Sequence, residues 1–153
     1  MLGSGATAKN AVLAISELAL GGEIYLKARN AERVEAISSW ASALGISVIA
    51  LDEVADLSEF DLVVSTLPPL SETNGWFAGA PSGTLLDVAY NPWPSELAMK
   101  WQSSGGNVIS GIEMLIWQAI AQIRVFKNGN VAEPLENEVE IAKAMRSAAM
   151  AEG

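Results

Sequence analysis

Leu2-Gly3-Ser4-Gly5-Ala6-Thr7-Ala8 opens this chain of 153 residues and decides how the rest of it is read. Gly3 and Gly5 form a Gly-x-Gly pair, and Ala8 stands where the third small residue of a G-x-G-x-x-G/A fingerprint belongs. Each position answers a physical demand. Gly3 permits a tight turn, Gly5 has no Cβ and so lets a pyrophosphate approach the backbone, and Ala8 lets a helix pack closely on a sheet. The first turn of that helix then offers unpaired N–H groups and the positive end of its dipole. A strand should feed such a turn, and only Met1-Leu2 precede it.

Beyond the turn, apolar residues at Ala8, Ala11, Val12, Ile15, Leu18 and Ala19 recur at helical spacing up to Leu20, and Gly21-Gly22 stop the run. Glu23 to Ala28 alternates like a strand, Ala31 to Leu44 reads as a second helix, and Ile46 to Ala50 as a short strand. A brief helix is expected between Asp52 and Phe60. Asp61-Leu62-Val63-Val64-Ser65 and Thr84 to Val88 are nearly all apolar, as strands covered on both faces should be. A loop rich in Pro and Gly, Leu67 to Gly83, separates them. Ser95 is positioned to cap a helix running to about Gln102, and Asn107-Val108-Ile109 is a last strand. Gly111 to Phe126 is a long helix, apolar nearly all round and therefore expected to be buried on several sides. Glu136 to Ala151 is a final amphipathic helix. Strands alternating with helices predict an α/β fold: a Rossmann-like, doubly wound, mostly parallel sheet with helices on both faces and two C-terminal helices. Its first strand would be truncated. The expected division is residues 1–110 and 111–153.

Composition narrows the function. Nine Lys and Arg against 18 Asp and Glu give a net charge of −9, which argues against nucleic acid and anionic membranes as partners. Cysteine and histidine are both absent, which removes disulfides, thiolate metal sites and the commonest zinc ligand, so no metal site is expected. No transmembrane run and no signal peptide stand out, and the default location is the cytoplasm.

The candidate residues fall at the carboxyl ends of the strands, where ligands of such sheets bind. An NAD site usually has an Asp or Glu about 20 residues past the glycines, to hold the ribose 2′-OH. Here Ala28-Arg29-Asn30 stands at that tip, with Arg33 one turn into the next helix. A guanidinium matches a phosphate through its planar fork of donors, which favours NADP(H) over NAD(H). The alternative is that both arginines are solvated surface charges, with Arg33 pairing with Glu32 or Glu35. Ser65-Thr66-Leu67 leaves a strand on the same face, and its hydroxyls either line the ribose or nicotinamide or simply end the strand. Trp76 and Phe77 read as lid or core packing. Asp87 closes a buried strand, where a lone carboxylate is costly unless partnered; it either serves the site or bonds the N–H groups of the next turn. Tyr90 follows with a phenol able to bond a substrate carboxylate. Met114 and Gln118 share a face of the long helix, and Gln118 is either functional or a core glutamine bonded to backbone.

Together, Gly3 to Ala8, Ala28-Arg29-Asn30 with Arg33, Asp61 to Thr66, Leu86 to Pro92 and Gly111 to Gln118 resemble shikimate dehydrogenases, specifically their NADP-binding domain and C-terminal helices. The motifs occur in the family's order over nearly the whole chain. The resemblance implies NADPH-dependent reduction of 3-dehydroshikimate to shikimate. It implies that Gly3, Ser4, Gly5, Ala6 and Thr7 hold the pyrophosphate and that Arg29 and Arg33 hold the 2′-phosphate. Asn30, Ser65, Thr66, Leu67 and Val88 fall on the cofactor side, Gly111 and Met114 near the nicotinamide, and Tyr90 and Gln118 at the substrate. The family often carries Asn-Ala-Thr where Ser65-Thr66-Leu67 stands, and Asn-Arg-Thr where Ala28-Arg29-Asn30 stands. The family's catalytic Lys and Asp belong to an N-terminal substrate domain that would precede Met1 and act as partner to this one, so no catalytic residue is assigned here. By itself the chain is expected to bind NADP(H) weakly or not at all and to lack dehydrogenase activity. Other readings of the same residues are a stand-alone NADP-binding or regulatory module, a quinate/shikimate dehydrogenase, and the cofactor domain of glutamyl-tRNA reductase, which the contexts of Tyr90 and Gln118 fit less well. Without the rest of a central strand, the strands at Ile24 and Ile46 are expected to dock poorly on those at Leu62 and Leu85.

Overall fold

The apolar periodicity resolves into alternating helices and parallel strands. The computed structural model describes residues 1–18, 22–51, 56–73, 76 and 79–151. In chain order these form α1 (Ala6–Glu17), β1 (Ile24–Leu26), α2 (Ala31–Ser42), β2 (Val48–Ala50), a single 3-10 turn (Leu57–Glu59), β3 (Leu62–Ser65), β4 (Thr84–Asp87), α3 (Glu96–Ser103), β5 (Asn107–Ser110), α4 (Gly111–Asn128) and α5 (Glu138–Ala151). The elements follow the sequence pattern, with β1 and β2 shorter than expected and β5 and α4 running one and two residues longer. The expected stop at Gly21 and the start of the helix expected from Asp52 lie outside the described residues. The last helix starts two residues later than expected, because Asn137 adopts a left-handed φ of 58° and the Glu138 carboxylate accepts the Leu135 N–H at 3.1 Å.

The strands form two hydrogen-bonded groups. β1 pairs in parallel with β2, Ile24 opposite Val48. β3 pairs in parallel with β4, Leu62 opposite Thr84, and β5 lies on the far side of β4. Between the groups stands Leu2, bridged in parallel to Lys27 on one side and to Ser65 on the other. The spatial order is therefore β2-β1-Leu2-β3-β4-β5, the doubly wound order with its centre reduced to a stub. The stub alternates as a strand does. Met1 packs with Val12, Ile15, Ile24, Leu26, Ile37 and Trp40 beneath α1 and α2. Leu2 packs with Leu57, Val63, Leu85, Leu97 and Trp101 on the α3 side. The two groups are joined at their carboxyl ends by Met1 to Gly3, while a cavity of about 810 Å³ separates β1 from the start of β3.

The chain divides into two compact units, Met1–Ile109 and Ser110–Gly153. In the second, Ile116 and Ile120 of α4 pack on Leu135 and on Ala142 of α5. Arg124 clamps Glu138 through two hydrogen bonds of 2.7 and 2.5 Å, and Arg146 clamps Glu113 in the same way. The expectation that α4 is buried on several sides is corrected. Trp117 is 48% exposed and Phe126 87%, because α5 covers only one stripe of the helix. No helix among the described residues is long and apolar enough to cross a membrane.

Candidate functional site

The site is assembled by the stub. The Leu2 N–H donates to the Val64 carbonyl and the Gly3 N–H to the Lys27 carbonyl, both at 2.8 Å. The second bond fixes the glycine turn two residues from Arg29. Gly3 has φ +100°, and a Cβ there would stand 2.3 Å from the Thr66 hydroxyl oxygen. No other residue fits without moving Thr66, whose hydroxyl and N–H both donate to the Leu2 carbonyl at 2.8 Å. Thr66, expected on the cofactor side, therefore also locks the turn against β3. Gly5 is the residue before α1, in extended conformation with no side chain capping the helix. Among the described residues no heavy atom lies within 4 Å of where its Cβ would be. The first turn of α1 thus opens onto free space, with Gly5, Ala6 and Thr7 exposed, Ser4 partly so and Ala8 fully buried beneath. Gly3 thus makes the tight turn and Ala8 the close packing expected of them, and the space beside Gly5 is open.

Arg29 lies three residues past β1 and Arg33 in the first turn of α2, both exposed. Among the described residues neither makes a salt bridge, so the alternative pairing of Arg33 with Glu32 or Glu35 is not what the structure shows. Asn30 caps α2, its side-chain oxygen accepting the Arg33 N–H at 2.9 Å. That bond holds the stretch between the two arginines in place. Lys27 sits with its ammonium 5.2 Å from the ring centroid of Trp76, a cation–π contact that the sequence did not signal. Trp76 itself packs on the Leu2 cluster, as core packing; Phe77 lies outside the described residues.

At the ends of β3 and β4, Ser65 is buried and its carbonyl accepts the Val88 N–H at 2.9 Å, while Leu67 packs partly against the Leu2 cluster. Asp87 is 2% exposed. One carboxylate oxygen accepts the Ala89 N–H at 3.2 Å and the other accepts the Ser95 hydroxyl. Ser95 in turn caps α3, accepting the Ala98 N–H at 3.0 Å. Asp87 thus satisfies the following turn, the structural alternative of the two. Val88 is half-buried beside it and Tyr90 is 54% exposed, its phenol open to solvent. In the second unit Gly111 is buried at the start of α4, Met114 is half-buried, and Gln118 is exposed one turn on. Gln118 is thus not packed into the core of this unit. Among the described residues no cluster of acidic side chains has the makings of a metal site.

No family model matches the chain. A shikimate dehydrogenase (NADP(+)) of Nostoc sp. is 30% identical over 142 residues, covering 82% of this chain and 48% of that protein. The enzyme of the same name from Caldivirga maquilingensis is 29% identical, covering 91% of this chain and 52% of its own length. Among solved structures, the shikimate dehydrogenase of Mycobacterium tuberculosis superposes with a TM-score of 0.77 and 32% identity, over 99% of this chain and 55% of that one. The chain spans about half the length of the curated relatives it matches. Its similarity to shikimate dehydrogenases and its Rossmann-like fold, both read from the motifs, are borne out.

Proposed function

We propose that the chain is the NADP-binding portion of a shikimate dehydrogenase, serving the NADPH-dependent reduction of 3-dehydroshikimate to shikimate in aromatic amino-acid biosynthesis. One observation carries the reading. The open first turn of α1 and two exposed arginines without ion pairs among the described residues are tied to one another by the bond from Gly3 to Lys27. An anionic group at Gly5 would meet backbone N–H groups and the dipole of α1. A second phosphate near Arg29 and Arg33 would find charge and a planar donor fork, with no carboxylate at the tip of β1 to repel it. Both features suit a dinucleotide carrying a 2′-phosphate. Similarity to relatives named for NADP(+) supports the same cofactor.

When bound, NADPH supplies the hydride; this chain's share is to hold the cofactor's phosphates and orient its ring. Asn30, Ser65, Thr66, Leu67 and Val88 are assigned to the cofactor side by their motifs. Tyr90 and Gln118 are given to the substrate and Gly111 and Met114 to the nicotinamide on that resemblance alone. The reading has residues 1–110 bind the cofactor and residues 111–153 pack toward a substrate domain that supplies the proton, in the cytoplasm.

Titration of NADPH and NADH into the chain, followed by nicotinamide fluorescence into the millimolar range, tests this. NADPH should bind more tightly than NADH. Arg29→Ala should weaken NADPH by about tenfold or more, the worth of a charge-assisted contact, and leave NADH unchanged. Equal binding of the two cofactors, or an Arg29→Ala variant indistinguishable from the parent, overturns the assignment.

A further inference from the structure

The peptide group between Leu2 and Gly3 is held by hydrogen bonds from both sides, each of 2.8 Å. Its N–H donates to the Lys27 carbonyl, and its carbonyl accepts both the N–H and the hydroxyl of Thr66. The two backbone bonds are those of a parallel ladder, and any residue but proline at position 66 would supply its share of them. The hydroxyl bond is what this side chain adds. We infer that the Thr66 hydroxyl is a positioning group: it selects the left-handed conformation of Gly3 and so holds the glycine turn in the form that receives a pyrophosphate. The ligand named here rests on the nucleotide reading above, whereas the conformational part stands on the geometry.

Glycine takes φ of either sign at little cost, so Gly3 does not itself choose its φ of +100°. The peptide group is planar, so the orientation of the Leu2–Gly3 plane sets that angle. A carbonyl oxygen has two lone pairs, and Thr66 places a donor on each. Rotating the plane breaks both bonds as well as the one to Lys27. The two donors come from one residue whose side-chain torsion is stiffened by branching at Cβ, so they hold their directions together. The arrangement is also exclusive. A Cβ on Gly3 would stand 2.3 Å from the Thr66 hydroxyl oxygen, so the hydroxyl fills the space that a side chain at position 3 would need.

This use of the hydroxyl withdraws it from direct contact with a phosphate. A hydroxyl has one proton to donate, and that of Thr66 goes to the Leu2 carbonyl. The oxygens of a pyrophosphate diester carry no proton at neutral pH, so they have nothing to give to the Thr66 oxygen. Thr66 therefore acts on the pyrophosphate through the turn. Gly5, two residues on, has open space around it among the described residues. A turn free at Gly3 as well as at Gly5 would have to be ordered at the moment of binding, which lowers affinity. The pyrophosphate is common to NADPH and NADH, so the effect falls on both alike. Arg29 differs in this, because its proposed partner is the 2′-phosphate alone.

Thr66→Ser and Thr66→Ala differ by one oxygen, and their comparison isolates the hydroxyl. Amide exchange is measured first, on the full chain without nucleotide, with the Leu85 amide in the buried middle of β4 as the reference for global opening. Relative to it, the Gly3 N–H should exchange about threefold to tenfold faster in Thr66→Ala, the worth of one neutral hydrogen bond, and stay near the parent in Thr66→Ser. Titrations with NADPH and NADH follow. Thr66→Ala should weaken both by one common factor of about threefold to tenfold, leaving their ratio unchanged, while Thr66→Ser binds as the parent does. Equal Gly3 exchange in the two variants overturns the proposal. A loss of affinity in Thr66→Ala with Gly3 exchange unmoved also overturns it, since that marks a direct contact with a ribose hydroxyl. Faster exchange with both affinities unchanged does the same, since that marks a bond serving the fold alone. If the parent binds neither nucleotide, the proposed function fails, and the exchange comparison still decides whether Thr66 sets the turn.

Discussion

The two ends of one sheet differ more than its strands do. At the carboxyl end, Leu2 bonds both neighbours, Thr66 locks Gly3 in its left-handed turn, Asn30 caps α2 and Ser95 joins Asp87 to α3. At the amino end, β1 and the start of β3 flank a cavity rimmed by Glu23, Glu59 and Asp61, and Leu62 is 36% exposed. The strand-forming residues are equally good at both ends, so propensity is not what separates them. The difference is the presence of a middle strand. Where Met1 to Gly3 supply one, two hydrogen-bonded groups become a single sheet and a ligand-sized turn is held in place. Where no residue stands between them, the backbone edges face a void.

The strongest way to break that comparison is to weaken the stub. Leu2 is 1% exposed and sits among Leu57, Val63, Leu85 and Trp101. Leu2→Ala should cost about 3 kcal/mol, the usual loss for a fully buried leucine whose cavity cannot collapse. Urea unfolding followed by tryptophan fluorescence reads it directly. A loss under about 1 kcal/mol would mean that the two strand groups are joined by something other than the stub.

The next effect is on pH. The Met1 amine has a folded-state pKa of about 6, below its ordinary 8.0, so between those values the unfolded chain binds more protons than the folded one. Stability should therefore rise as pH goes from 6 to 8, by about 2 kcal/mol at most, and level off beyond. Below pH 6 both states carry the proton and the full penalty remains. The chain has no histidine, so no side chain with an ordinary pKa in that window confuses the measurement. Urea midpoints at pH 6, 7 and 8, repeated on chain acetylated at its amino group, check it. A parent profile as flat as the acetylated one would show that the amine is hydrated and the amino end less closed than the distances indicate.

The carboxyl end was the legible one. Gly3, Gly5 and Ala8 could be read from the sequence because each answers a steric demand that few residues meet, and the absence of an acid at Arg29-Asn30 followed from the strand's length. Ser95 was readable as a cap because its demand is local. What could not be read was the pairing of chemistry across the fold. Nothing in Ser65-Thr66-Leu67 says that the Thr66 hydroxyl bonds Leu2, 64 residues away in sequence. Nothing in Asp87 says that its partner is Ser95, since that depends on how the Pro-rich turn between them closes. α4 misled for a related reason. Its apolar circumference is a property of the helix, whereas the burial of Trp117 and Phe126 depends on neighbours that its own sequence does not specify. Met1-Leu2 looked too short to serve as a strand, and two residues proved enough to bond both sides because the ladder needs only alternation.

Asn30 offers the smallest effect and the sharpest division between holding the fold and binding a ligand. It is exposed, yet its side-chain oxygen caps α2 through the Arg33 N–H. Asn30→Ala should cost about 1 kcal/mol of stability, the usual worth of an N-cap. Asn30→Asp keeps the cap, since Asp is an equally good residue at that position and its charge suits the helix dipole. It also places a carboxylate between Arg29 and Arg33. If those arginines bind a 2′-phosphate, Asn30→Asp should retain the parent's urea midpoint while its preference for NADPH over NADH falls severalfold. If Asn30 does no more than cap α2, the aspartate variant should match the parent in both. The pair of substitutions thus separates a residue that shapes the carboxyl end from one that reads the cofactor, which neither variant alone does.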